Sequence, residues 1–357
     1  MSQTIQSPDA ATALRAAARR TRELEAAIAR DPAQFRVLTG DRPTGPLHVG
    51  HLFGTLENRV RLQDAGVELL VLVADYQVLT DRAAAQRLPD DVEGQVADYL
   101  AAGIDPARAT IFAHTQIAAL NQLLLPFLSL VSVAEVGRNP TVKAEVAASG
   151  GAATSALMFA YPVHQAADIL FCRANLVPVG RDQLPHLELT RTIARRFNER
   201  YGPFFPEPNA LLSRAPLLLG LDGRKMGKSA GNAIALRASA DETARLIRRA
   251  KTDAERRITY EPDRRPEVSN LVLLAALCRG VAPEAVAEEV GEGGASALKA
   301  LVTEAVNERL APVRRRRAEV VGDRAFLRGV LRDGNERARA IAEDTLATVR
   351  RLMHTDY

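Results

Sequence analysis

Tryptophan is absent from this chain of 357 residues, and cysteine occurs only as Cys172 and Cys278. Two cysteines so far apart, with no CxxC, exclude a disulfide scaffold and a cysteine-held zinc or iron–sulfur site, and they suit a reducing cytosol. No apolar run is long enough to cross a bilayer. The N-terminal stretch 8-PDAATALRAAARRTRELEAAIAR-30 mixes both charges with alanine and has no apolar core of the signal-peptide kind. It reads as a surface helix, with Ser7 as its cap and Pro8 at its first position. Lysine is scarce as well. Lys143, Lys225, Lys228, Lys251 and Lys299 are the whole supply, and arginine makes up the rest of the 47 basic residues. A net charge of +4 permits a polyanionic partner without demanding one. Within that scarcity, two lysines in one pentad, Lys225 and Lys228, point to a local requirement.

What the chain does have is alternation. Short β-branched runs at 35-FRVLT-39, 68-ELLVLVAD-75, 110-TIFAHTQ-116 and 175-NLVPVG-180 are separated by segments of helical periodicity, the pattern of buried parallel strands with crossover helices. The expected fold is α/β: a doubly wound, Rossmann-like catalytic domain over 35–232, with a helical insertion at about 89–151. An N-terminal helical extension (1–34) precedes it and an all-helical domain (233–357) follows. The apolar segment 117–137 reads as core or subunit interface. The run Arg314–Arg317 lies on a helix and reads as a solvated face, with RNA contact as the alternative.

The densest signal is 39-TGDRPTGPLHVGHLFG-54, which places two of the six histidines, His48 and His51, in a glycine- and proline-rich turn between a strand and a helix. Such a turn offers backbone N–H groups and the positive end of a helix to phosphate. Imidazoles three apart can both donate to oxygens that gain charge in a transition state. Zinc is a poor alternative because no third ligand is near, so no metal site is expected. A second signal is 222-DGRKMGKSAGN-232, two lysines on a glycine-rich loop that must be mobile, able to swing ammonium groups onto a leaving pyrophosphate.

Together these resemble the HIGH and KMSKS signatures of class I aminoacyl-tRNA synthetases, here His48-Val49-Gly50-His51 and Lys225-Met226-Gly227-Lys228-Ser229. The stretches 71-VLVADYQVLTDR-82, 161-YPVHQAADIL-170 and 176-LVPVGRDQLPHLELTRTIARRFNERYG-202 narrow the resemblance to the tryptophanyl-tRNA synthetase family, of a divergent or auxiliary type, over roughly 35–350. The resemblance implies activation of L-tryptophan by ATP, with Mg²⁺ bound through ATP rather than at a dedicated protein site, then transfer to tRNA(Trp). It also implies a cytoplasmic homodimer, with the anticodon read by the C-terminal helices. Position by position it implies Arg42, Pro43, Thr44, Gly50 and His51 along the ATP phosphates and adenine, and Gly180, Arg181 and Asp182 at the ribose. His48 and His51 act with Lys225 and Lys228 in catalysis, and Met226, Gly227 and Ser229 complete the ATP-binding loop. Asp168 matches the acceptor of the indole N–H, Tyr161 shares its pocket, and Gln183 lies toward the amino acid.

Three residues depart from the family pattern. Gly227 replaces a serine, Gln77 stands where many bacterial members have histidine, and Gln165 occupies a pocket position that is usually apolar. Tyr161, Gln165 and Asp168 together spell the Y-x3-Q-x2-D with which tyrosyl-tRNA synthetases surround a phenol, so tyrosine is the alternative substrate. A small nucleotidyltransferase would leave the lysine loop and the long helical tail unexplained. A non-catalytic paralogue binding RNA or protein is the remaining alternative, and the intact His48, His51, Lys225, Lys228 and Asp168 argue against it. No inserted editing domain fits in the chain, which suits an aromatic substrate that a hydrogen bond can select.

Overall fold

The structure, a computed structural model, describes residues 8–80, 85–140, 142–143, 155–180, 183–212, 217–228 and 230–357. Five parallel strands, β1 (Arg36–Asp41), β2 (Glu68–Val73), β3 (Ala109–Ala113), β4 (Leu176–Val179) and β5 (Asn209–Leu212), form one sheet in the order β3-β2-β1-β4-β5. The expected doubly wound fold is therefore present, with one strand more than the sequence suggested. Alternate residues feed opposite layers, as the period of two requires. Val37, Leu69, Val71 and Ile111 join one apolar cluster, whereas Leu38, Leu70, Leu72 and Phe112 join the other.

The strand order reverses between β1 and β4, which is where ligands bind in sheets of this kind. β1 is in register with β2 along its whole length, from Arg36↔Glu68 to Asp41↔Val73. With β4 it is paired, among the described residues, only at Val37↔Leu176. The two strands part beyond that point and leave a crevice at their C-terminal ends.

Three expectations need correction. The span 89–151 is not a helical insertion throughout, since it contains β3, which the helix Leu88–Ala102 connects to β2. Within it the apolar segment breaks into three short helices, Ala118–Gln122, Leu124–Leu128 and Val133–Arg138, which bury Leu120, Phe127 and Val136 in turn. The N-terminal helix Pro8–Arg30 is more than a surface addition: Leu24 and Ile28 are buried, and the Thr21 hydroxyl accepts the Leu212 amide of β5 at 3.1 Å. Its expected cap, Ser7, lies outside the described residues. Arg314–Arg317 are only in part the solvated face expected, Arg315 and Arg316 being exposed and Arg314 and Arg317 half-buried. Arg314 donates to Asn307 and Thr243, Arg316 to the Ala101 carbonyl, and Arg317 to Asp98. Acceptors on this helix and its neighbours hold three of the four guanidinium groups, and Arg315 has no such partner among the described residues.

The last helix, Arg324–Leu352, returns to the sheet and covers the β3 edge. Leu327 and Val330 join one cluster and Ala338, Ala342 and Leu346 the other. Asn335 Oδ1 accepts the Ala113 amide at 2.9 Å, which satisfies a donor that an edge strand would otherwise expose. The approach is close because position 334 is glycine: a Cβ there would lie 1.8 Å from the Ile111 carbonyl oxygen. Gly334→Ala should therefore lower stability by ~1–3 kcal/mol in urea titrations, since backbone rather than a flexible side chain must move. Gly329→Ala in the same helix, where a Cβ meets nothing within 4 Å, should instead stabilise by up to ~1 kcal/mol.

Candidate active site

β1 ends at Asp41, and the chain turns through Arg42–Leu47 with Gly45 at a φ of +120°, open to glycine without strain. His48 is extended and buried, and a helix starts at Val49. This helix runs as an α turn (Val49–His51), a π turn (Leu52–Leu56) and an α segment (Glu57–Ala65). A π turn widens the helix by one residue and is common beside functional groups. The two imidazole centroids are 3.9 Å apart. His51 Nδ1 accepts the His48 amide at 3.3 Å, so in the neutral ring the hydrogen sits on Nε2. His48 Nδ1 is buried with no hydrogen-bond partner among the described residues.

Burial lowers the pKa of His48 to about 3, with His51 and Lys228 adding to the effect. Burial likewise lowers His51 to about 4, although Asp41 opposes it. Both rings are thus neutral donors at pH 7. The nearby positive charge is Lys228, whose Nζ donates to the Arg42 carbonyl at 2.7 Å and whose own pKa burial pushes down.

The lysine loop is held rather than loose. Asn232, buried, accepts the Gly227 amide at 3.1 Å through Oδ1 and donates from Nδ2 to Asp222 Oδ1 and to the Lys225 carbonyl. Position 220 must be glycine, because a Cβ there would fall 2.2 Å from Asn232 Nδ2. The Met226 sulfur lies 2.9 Å from where a Cβ of residue 50 would be, so Gly50 lets the lysine loop close on the histidine turn. Beyond the loop, Ile234 and Leu236 pair with Val49 and Leu47 through backbone hydrogen bonds. The structure therefore brings Lys228, Met226, Gly50, His48 and His51 together with Arg42, Pro43 and Thr44. Lys225 is exposed. Gly227 leaves room for a side chain, with Ala230 Cβ at 3.7 Å as its nearest neighbour.

Gly180 lies just past β4, across the crevice. Arg181, Asp182 and Ser229 lie outside the described residues. Gln183 begins the next helix, its amide bonded to the Gly180 carbonyl at 3.1 Å, and Gln77 is half-buried after β2.

Tyr161, Gln165 and Asp168 occupy successive turns of the helix Ala156–Leu170. Asp168 is 1% exposed, and its Oδ1 is 3.2 Å from His114 Nδ1. Its Oδ2 is buried with no hydrogen-bond partner among the described residues. His114 rather than Gln165 bonds Asp168, and Gln165 makes no hydrogen bond to a described residue. Burial opposes a charge on His114, but Asp168 and Asp75 outweigh it and raise its pKa. In the neutral ring Nε2 accepts the Tyr76 amide at 2.7 Å, and Nδ1–H is left to donate to Asp168. His164 is also fixed. Asn121 donates from Nδ2 to the His114 and Ile117 carbonyls, so its Oδ1 faces His164 Nε2 at 2.8 Å as an acceptor. His114, His164 and Asp168 are close enough to suggest a metal site, but the Tyr76 amide on Nε2 keeps the hydrogen on the nitrogen that would have to ligate. Sequence reasoning did not single out His114, His164, Asn121 or Asn232, although His164 and Asn232 lie within the stretches that carry the resemblance. The signal for His114 was only that it follows a strand.

The family model described as tRNA synthetases class I (W and Y) matches residues 31–311. A tryptophan–tRNA ligase of Streptococcus pyogenes serotype M3 is 40% identical over 336 residues, which is 90% of this chain and 98% of the relative. The chain belongs to the tryptophan–tRNA ligase family of class I synthetases. Another member, from Thermotoga maritima, is 40% identical over 330 residues, with 90% and 99% covered. The crystal structure of the tryptophanyl-tRNA synthetase of Campylobacter jejuni complexed with ADP and tryptophan matches with a TM-score of 0.77 at 27% identity, over 89% of this chain and 99% of that one.

The two depressed histidines make stability pH-dependent in this synthetase. Each binds a proton in the unfolded chain near 6.5 but refuses it in the fold until about 3 or 4. Their contribution is complete above pH 6.5 and is lost as the pH falls toward 4. His51→Asn should flatten the slope of unfolding free energy between pH 6.5 and 4, measured by urea titration at several pH values. An unchanged slope would mean that His51 is not held neutral by burial.

Proposed function

We propose that this enzyme joins L-tryptophan to AMP from ATP, releases pyrophosphate, and passes the tryptophanyl group to tRNA(Trp) with release of AMP. The observation that carries the amino-acid assignment is Asp168 Oδ2, a buried acceptor that no described residue satisfies. A buried polar atom of this kind needs a donor, and the indole N–H is a donor only. His114 holds the other oxygen and fixes which way Oδ2 faces. Tyr161, Gln165, Gln77 and Gln183 line the rest of the amino-acid site in this reading.

The substrate carboxylate attacks the α-phosphorus in line. ATP lies along Arg42–Thr44 and Gly50–His51, its ribose toward Gly180, Arg181 and Asp182, and Mg²⁺ accompanies it on the phosphates rather than at a site of the protein. His48 and His51 donate neutral hydrogen bonds to the phosphates. Lys228 supplies the positive charge as the pyrophosphate leaves, and Lys225 joins it when the loop moves, with Met226, Gly227 and Ser229 as the frame. Positioning and charge stabilisation do the work, and no strong base is required. The enzyme acts as a cytoplasmic homodimer whose C-terminal helices meet the anticodon. Among the described residues no single helix is long and apolar enough to cross a membrane.

Lys228→Ala should lower kcat for adenylate formation by the equivalent of ~2–4 kcal/mol while tryptophan binding changes little, because the contact matters most as charge develops. Pre-steady-state adenylation at the parent rate would remove Lys228 from this role.

The placement of Tyr161, Gln165 and Asp168 on one helix favours tyrosine as the second reading. Pyrophosphate exchange with both amino acids, in the parent and in Gln165→Met, separates the two. Tryptophan exchange should survive the change. Tyrosine exchange in the parent, lost in the variant, would overturn the assignment. Because the chain has no tryptophan of its own, indole emission reports binding directly: L-tryptophan should shift to the blue on titration, and in Asp168→Ala should do so only at higher concentration.

A further inference from the structure

Asp98, in the helix Leu88–Ala102, is 1% exposed and belongs to none of the sequence signatures. Its two oxygens serve different parts of the molecule. Oδ2 accepts the amide of Leu47, the residue before His48, at 3.0 Å. Oδ1 accepts from Arg317 Nε at 2.7 Å, across 219 residues of sequence, from the helix Gly294–Val321. The Leu47 peptide is gripped on its other side by Leu236, whose amide donates to the Leu47 carbonyl at 2.9 Å. The same C-terminal helix also bonds Arg316 to the Ala101 carbonyl and pairs Arg309 with Glu57, which lies in the helix that His51 opens. It therefore braces the elements on both sides of the nucleotide turn.

A buried amide needs an acceptor, and a buried carboxylate needs a counter-charge to stay ionised. Desolvation drives the Asp98 pKa up, and Arg317 works against it. Arg237, on the segment after the lysine loop, adds a more distant positive charge. We infer that Asp98 and Arg317 are a positioning pair for nucleotide chemistry: Arg317 fixes the carboxylate orientation in which Oδ2 holds the Leu47 amide, and thereby His48, in place. Neither residue touches substrate. The inference rests on the reading that ATP binds at this turn.

The test uses the full chain with Arg317→Gln, Arg317→Lys, Asp98→Asn and the Asp98→Asn/Arg317→Gln pair. It measures tryptophan-dependent pyrophosphate exchange, equilibrium binding of a non-hydrolysable ATP analogue, and the thermal midpoint. Arg317→Gln should lower kcat about tenfold or more and leave the tryptophan KM nearly unchanged, since misplacing the turn spoils alignment rather than the amino-acid pocket. Lysine should recover part of the loss, and the double variant should be no worse than the poorer single one. A lower thermal midpoint with kcat unchanged, or losses that simply add, overturns the inference. If Arg317→Gln does not fold, Arg317→Lys with Asp98→Asn completes the same cycle. A parent without tryptophan exchange sinks the amino-acid assignment instead. The pair is then judged on the ATP analogue, where weaker binding in Arg317→Gln supports it and equal binding rejects it.

Discussion

The ion pair of Asp41 with Arg59 stands beneath everything that happens at the nucleotide turn. Arg59 is 1% exposed, and its Nη1 meets Asp41 Oδ2 at 2.6 Å. Burying two charges costs several kcal/mol per ion, and their attraction offsets this only when the remaining hydrogen-bond capacity is used. Here it is used. Arg59 Nε donates to Thr39 Oγ1, the Tyr99 hydroxyl donates to Asp41 Oδ2, and Gln95 Nε2 donates to the Tyr99 oxygen and to the Asp41 carbonyl. Burial alone would raise the Asp41 pKa, but Arg59, His51 and Lys228 reverse the sign and hold the carboxyl well below its ordinary range. A fixed negative charge thus sits at the end of β1, behind the place where a triphosphate would bring several more.

That charge gives the lysine loop a reason to dock before any nucleotide arrives. Asp41 is the strongest of the groups favouring a charge on Lys228, and the ammonium rests on the Arg42 carbonyl next door. The loop is nevertheless not loose. Asn232 ties its two arms, and Met226 seats on Gly50, so the lysine moves on a small frame with its own internal hydrogen bonds. A frame of this kind can shift as a body from a carbonyl to a phosphate without rebuilding its backbone contacts. The glycine at 227 fits the same picture: the backbone amide there is already committed to Asn232, so a missing hydroxyl costs the frame nothing.

How much of this the residues alone announce depends on the range of the interaction. The strands were legible because a buried parallel strand is a run of β-branched residues, and the histidine turn was legible because Pro43, Gly45 and Pro46 interrupt any regular element ahead of His48. β5 was not, since four residues flanked by Pro206 and Pro208 carry too little periodicity. The same holds for the partners of the arginines at 314, 316 and 317. An arginine facing outward from a helix has the same local pattern whether it meets water or a carboxylate brought there by the fold. The pocket divides in the same way. Asp168 stands in a motif, whereas His114, which bonds it, follows β3 and is joined to it only by the folding of the sheet.

The polar groups around Asp168 also bear on how indole and phenol are told apart. Asn121 commits His164 to donate, Tyr76 commits His114 Nε2 to accept, and His114 in turn donates to Asp168 Oδ1. Among the described residues, the acceptor this leaves uncommitted on Asp168 is Oδ2. An indole N–H satisfies it and asks nothing back. A phenol hydroxyl also satisfies it, but its oxygen then needs a donor of its own once water is gone. The half-buried side chains of Gln165 and Tyr161, on the same helix as Asp168, both carry a donor. In the proposed reading a ligand that only donates suits that single acceptor, whereas a phenol would need a donor from the pocket in addition.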